Sequence, residues 1–162
     1  MIAATDFRDA LKDFATGVTV VTTSDAAGAP VGATVSAFTS LSVDPPLILV
    51  CLRDGSRTTA AIRERGAFAV HFLDKTQSAL AQKFAMDRPD KFDDVPYSIN
   101  EFGVPCVDVS RRYLECRLEG EYAGGDHLIF IGLVEGSRHG EVFEPLLYSQ
   151  RHYYGLGDEV EP

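Results

Sequence analysis

Two stretches of this chain, Leu47 to Leu52 (LILVCL) and His127 to Val134 (HLIFIGLV), are apolar on both faces of the strand each would form. Side chains alternate across a strand, so such a segment must be covered twice, by the interior of a barrel or by a second subunit. Both runs fall far short of the ~18 apolar residues that a membrane-crossing helix needs. With no basic segment ahead of an apolar run at the N-terminus, the expectation is a soluble, cytoplasmic protein without a membrane partner.

The segments around these runs are strand-like as well. Val18 to Thr23 (VTVVTT) and Val31 to Ser36 flank the turn-rich SDAAGAP and predict a hairpin. Ala67 to Leu73 (AFAVHFL) predicts another strand. Tyr113 to Tyr122 places Leu114, Cys116 and Leu118 on one face and Glu115, Arg117, Glu119 and Glu121 on the other. Helices are few: a first one capped by Thr5, with apolar Phe7, Ala10, Leu11 and Phe14 and an end at Gly17; Arg57 to Arg65, stopped by Gly66; and Gln77 to Ala85. Met86 to Val109 holds three prolines and little periodicity, and predicts a long loop, functional or disordered. Many strands with few helices predict a mainly β chain built as an antiparallel β-barrel. The 162 residues predict one domain over residues 1–157 and a frayed acidic tail at residues 158–162.

Charge and cysteines remove several functions. Fifteen basic against 24 acidic residues give −9, a surface that repels nucleic acid. Cys51, Cys106 and Cys116 form no C-x-x-C, and the four histidines show no ligand spacing, so neither a disulfide framework nor a metal site is expected. No G-x-G-x-x-G or Walker motif occurs, so a nucleotide would bind outside those frames.

Three segments carry candidate chemistry. Gly32 to Ser42 (GATVSAFTSLS) concentrates five hydroxyls at a strand exit, suited to a polar planar ligand or a phosphate, although serine and threonine also serve ordinary turns. Arg53 to Thr59 precedes a helix, where free amides, Ser56, Thr58 and two arginines suit an anion or a plain N-cap. His127, after Gly124-Gly125-Asp126, suits hydrogen bonding to a ligand or proton transfer with Asp126 beside it, or a structural role. His71 reads as a core or cleft residue, and no serine has the partners of a catalytic triad.

FATGVTVVTT (14–23), VGATVSAFTSLSVDPPLILVCL (31–52), Ser56-x-Thr58, GAFAVHFL (66–73), LAQKFA (80–85), GDHLIFIGLV (125–134) and PLLY (145–148) occur in one order that resembles the flavin reductase domain family. These are short-chain NAD(P)H:flavin oxidoreductases that serve as the small component of two-component flavin monooxygenases. The resemblance implies a Greek-key split β-barrel that binds flavin in a homodimer, near the subunit interface. It places Thr34, Val35, Ser36, Ala37, Thr39 and Ser40 along the flavin ring, with Cys51 and Leu52 bordering it. It places Ser56, Arg57 and Thr58 on the phosphate, Phe84 and Phe92 flanking the flavin, and Tyr148 and Asp126 nearby. His127 is implied to position the nicotinamide. The implied cofactor is FMN or FAD, with NADH or NADPH as co-substrate and an oxygenase receiving reduced flavin. Alternative functions on such a barrel are pyridoxamine-phosphate-oxidase-like or deazaflavin-dependent catalysis, and non-enzymatic flavin carriage.

Overall fold

A computed structural model describes residues 1–140 and 142–157. The tail expected at residues 158–162 lies outside them. The elements run α1 (Ala4–Leu11), β1 (Thr16–Gly17), β2 (Thr19–Ser24), β3 (Pro30–Val35), β4 (Phe38–Ser42), β5 (Leu47–Arg53), α2 (Arg57–Arg65), β6 (Ala67–Phe72), a 3-10 turn (Lys75–Gln77), α3 (Ser78–Ala85), β7 (Tyr97–Ile99), β8 (Pro105–Val107), β9 (Tyr113–Gly124), β10 (His127–Arg138), β11 (Leu147–Ser149) and β12 (His152–Tyr154). Seven strands form one antiparallel sheet in the order β3-β2-β6-β9-β10-β5-β4. Its two outermost strands, β3 and β4, are consecutive in the chain and joined by Ser36 and Ala37 alone, so the sheet curls until its ends meet without pairing. That is the split barrel the family resemblance implied, in place of the closed barrel that the strand pattern alone predicted.

The barrel interior is filled from both sides of this seam. Val21 and Val35 pack with Ile48, Val50, Leu52, Phe68, Val70, Cys116, Leu128 and Phe130, and Ile62 of α2 closes one end. Phe68 and Phe130 are fully buried, each contributing roughly 1.5–3 kcal/mol by removal of apolar surface from water. A second cluster lies outside the barrel, where Val18 and Val20 meet Ala81 and Phe84 of α3, with Val95, Val107 and Leu146. Within one chain β6 is buried on both faces except at Phe72, and β2 is buried on both faces at every residue. Its threonines are paired: Thr19, Thr22 and Thr23 donate to the carbonyls of Val35, Pro105 and Ala67 at 2.7, 2.6 and 2.8 Å. In β5 and β10 only the inner face is buried; Leu47, Leu49, Cys51, Ile129, Ile131 and Leu133 on the outer face stay half-exposed.

The structure corrects three expectations. Thr5 lies inside α1 and bonds its neighbour Asp6, while Ala3 is the N-cap; the helix ends at Leu11, and Gly17 belongs to β1. No α1 residue is buried, so its apolar stripe is not spent on this chain's core. Met86 to Val109 is not one open loop: β7 and β8 pair within it, and the Asn100 side chain accepts from the amides of Phe102 and Val104 to build the turn between them. Three-residue strands bounded by proline are too short to show an alternation. Phe38–Ser42 is a strand rather than a hydroxyl-rich exit, because it pairs along β5.

The three cysteines are unpaired. Burial pushes the thiol pKa of Cys106 up to about 11 and of Cys116 up to about 12, and raises that of Cys51. His71 is fully buried on β6, its Nε2 3.0 Å from the Thr22 hydroxyl and its Nδ1 without a partner among the described residues. Burial drives its pKa down to about 3. The folded chain thus keeps this imidazole neutral at pH 5, where an unfolded histidine with pKa near 6.5 is charged. Stability is full above about pH 7 and falls below it, with roughly 2 kcal/mol lost by pH 5. Urea unfolding at both pH values checks this, and the difference shrinks by about that amount in His71→Gln.

Candidate functional site

Two cavities open on the seam. The first, about 910 Å³, lies where β3 passes to β4 and is lined by Ser36, Ala37, Phe38, Thr39, Leu49 and Cys51, with Thr16 to Thr19, Phe72, Tyr148, Leu11 of α1 and Phe14 beyond its end around them. Its walls are mostly apolar, and Phe38 and Phe72 meet edge to face at 5.2 Å. Its polar side chains include the hydroxyls of Ser36 and Thr39 and the cations Arg8, Lys12 and Arg151. A flat, largely apolar ring with a hydrogen-bonding edge suits such a cleft.

The second cavity, about 600 Å³, is lined by Gly32 to Thr34, Arg53 to Thr58, Phe84 and Met86 to Arg88, with Lys91 and Phe92. Ser56 is the N-cap of α2: its Oγ accepts from the Thr59 amide at 3.1 Å, and the Thr59 hydroxyl returns a bond to the Ser56 carbonyl at 2.7 Å. The cap leaves the amides of Arg57 and Thr58 without an acceptor among the described residues and pointing along the positive end of the helix. Arg88 is taken up by Asp90, which holds the Asp90 carboxyl down at about 2. Arg53, Arg57 and Lys91 have no carboxylate at ion-pair distance among the described residues. A cationic pocket on a chain of net charge −9 is suited to an anion.

The structure gathers the expected residues into two groups and leaves others apart. Ser36, Ala37, Thr39, Cys51 and Tyr148 line the apolar cleft; Thr34, Ser56, Arg57, Thr58, Phe84 and Phe92 line the cationic cavity. Val35 and Leu52 point into the barrel core, so only their backbone faces outward. Ser40 is exposed and lines neither cavity. The Thr34 hydroxyl is already committed to the Ala81 carbonyl at 2.6 Å. Phe84 is fully buried beneath Gly32, where a Cβ would lie 2.9 Å from its ring, and it meets Phe92 edge-on at 5.0 Å.

Asp126 and His127 line neither cavity, but their turn abuts the second: His127 faces Arg53 across the ladder, and the Asp54 amide donates to the Asp126 carbonyl at 3.0 Å. The Asp126 carboxylate sits 2.8 Å from His127 Nδ1, and this hydrogen bond lowers its pKa. A carboxylate kept ionised accepts, so Nδ1 carries the proton and Nε2 is left open to solvent. Sequence reasoning missed Lys91 and the α1 wall. No motif singles out the lysine, and the apolar spacing of α1 does not say which surface it lines.

A family model described as flavin reductase like domain matches residues 11–157. A probable flavin reductase of Rhizobium meliloti is 44% identical over 127 residues, 78% of this chain, which spans only 41% of that relative. The reductase subunit of a flavin-dependent monooxygenase from Rhodococcus jostii is 37% identical over 150 residues, 93% of this chain and 76% of the relative. Among solved structures, a Streptomyces globisporus NADH:FAD oxidoreductase in complex with NAD and FAD fragments superposes with a TM-score of 0.89 at 32% identity, covering 99% of each chain. Independently of any ligand, Ser56→Ala is expected to destabilise the chain by about 1 kcal/mol through loss of the cap, whereas Ser56→Asp, itself a good cap, does not. Thermal melts of the two variants check this.

Proposed function

The chain belongs to the flavin reductase family and is an NAD(P)H:flavin oxidoreductase, and we propose that its two seam cavities are the two ends of one flavin site. The observation that carries this reading is their chemistry: an apolar cleft at Ser36 to Thr39 and Cys51, and a cationic cavity around Ser56 to Thr58 a few residues along the same strands. The isoalloxazine of FMN or FAD fits the first, and the ribityl phosphate fits the second, where two free helix amides and Arg57 await an anion. Bound flavin and nicotinamide supply the hydride transfer between themselves. The chain's residues bind and orient them. The Ser36–Ala37 backbone holds the polar edge of the ring, the Phe38 and Phe72 side of the cleft excludes water, and α2 fixes the phosphate. His127, its proton pinned on Nδ1 by Asp126, offers Nε2 to the nicotinamide carboxamide as a positioning group rather than an acid or base. Val35, Leu52 and Phe84 act by shaping the walls.

A homodimer supports this site. The outer faces of β5 and β10 and the apolar side of α1 are uncovered in one chain, and a second copy would complete the cover that two-faced strands require. It would also account for His127 standing outside both cavities of its own chain. Relatives named as reductase components of monooxygenases support an oxygenase as the receiver of reduced flavin. Among the described residues no helix is long and apolar enough to cross a membrane, consistent with a cytoplasmic setting.

The test is oxidation of NADH and NADPH followed with free FMN, FAD and no flavin. Turnover that needs added flavin supports the reductase; tight flavin binding without turnover supports a carrier. In His127→Ala the KM for NADH is expected to rise roughly three- to tenfold, the worth of one hydrogen bond, with flavin affinity unchanged. Unchanged NADH kinetics would remove His127 from the site. Ile131→Glu is expected to halve the mass measured by light scattering, by placing a charge on the outer face of β10.

A further inference from the structure

Lys91 follows Asp90 in the segment that closes the cationic cavity, and nothing in its local sequence marks it. Its ammonium donates to two main-chain carbonyls, Gly32 on β3 and Phe84 at the end of α3, each at 3.0 Å. An ammonium has three N–H donors, and the third has no acceptor among the described residues although Lys91 lines the cavity wall. The geometry has an unusual electrostatic character. Burial lowers the pKa of Lys91, Asp87 raises it, and Arg57 lowers it further as a neighbouring like charge. Two cations thus share one half-enclosed space at a cost that a bound anion would reverse. The two carbonyl bonds fix where the charge sits. They tether it to the strand that continues into the Ser36–Ala37 crossing, so a ligand spanning both cavities would meet Lys91 at its anionic end.

We infer that Lys91 is an anion-positioning residue of the flavin site, its third N–H directed to the flavin phosphate opposite Arg57 and the first turn of α2. This rests on the phosphate assignment proposed above. Its position differs from that of the α2 amides, since the same ammonium also ties β3 to the end of α3.

The experiment compares binding of FMN and of riboflavin, which lacks the phosphate, by flavin fluorescence quenching in wild type, Lys91→Met, Lys91→Arg and Arg57→Ala. Lys91→Met keeps the aliphatic stem and is expected to weaken FMN about tenfold or more, as loss of a charge-assisted hydrogen bond does, with riboflavin within about twofold. Lys91→Arg is expected to recover most of the FMN affinity. Equal weakening of FMN and riboflavin in Lys91→Met would show a structural tether only and overturn the inference, as would no change in either. A wild-type chain with no preference for FMN over riboflavin would sink the phosphate assignment itself. A preference lost in Arg57→Ala but kept in Lys91→Met would sink the lysine's role alone. Melting of each variant without flavin separates misfolding from lost binding.

Discussion

Ser36 and Ala37 carry the chain from one edge of the seven-stranded sheet to the other, and the rest of the molecule is arranged around that crossing. A sheet whose two edge strands are consecutive in sequence cannot stay flat, and here those edges, β3 and β4, do not pair with each other. It curls, and the residues between the edges are left with main-chain groups that no ladder satisfies. Both carbonyls are taken, that of Ala37 by the Cys51 amide and that of Ser36 by the Phe38 amide, each at 3.0 Å, which leaves the Ser36 and Ala37 amides without an acceptor among the described residues. The opening for a ligand is thus a by-product of how the barrel closes, not a hole cut in a finished core.

The core and the site are coupled through alternation along β3. Val35 and Ala33 point inward to the barrel, while Gly32 and Thr34 point outward to α3. One strand therefore sets barrel packing, the seat of α3 and the approach to the cationic cavity. Phe84 approaches Gly32 so closely that no side chain fits there without displacing the Val21 carbonyl or the ring. Specificity for a ligand and integrity of the fold cannot be tuned separately along this stretch.

Much of this was legible in residue order. The two-faced runs at β5 and β10, the alternation of Leu114, Cys116 and Leu118, and the Ser56 start and Gly66 stop of α2 each have a local physical signal, and each element lies where that signal placed it. The small hairpin of β7 and β8 was not legible, since its pairing depends on the Asn100 turn and on burial of Val104 and Val107 rather than on periodicity. Within the site, the motif residues are present but not equivalent. Ser36, Thr39 and Arg57 are exposed, whereas Val35, Leu52, Thr58 and Phe84 are buried. A motif records which positions are constrained, and burial then decides whether a side chain or only its backbone is offered. Lys91 escaped because its place is set by two main-chain carbonyls, one of them distant in sequence at position 32 and the other at position 84, and not by any side-chain pattern.

Reduced flavin that meets dioxygen before it reaches an acceptor yields hydrogen peroxide, and a protein that releases reduced flavin works in its own stream of oxidant. Peroxide attacks thiolate rather than thiol. With Cys106 and Cys116 sealed in the core and Cys51 shifted in the same direction, the chain keeps its sulfur in the form that peroxide scarcely touches. Burial that fills the core thereby also holds Cys106 and Cys116 in the protonated form and away from solvent oxidant.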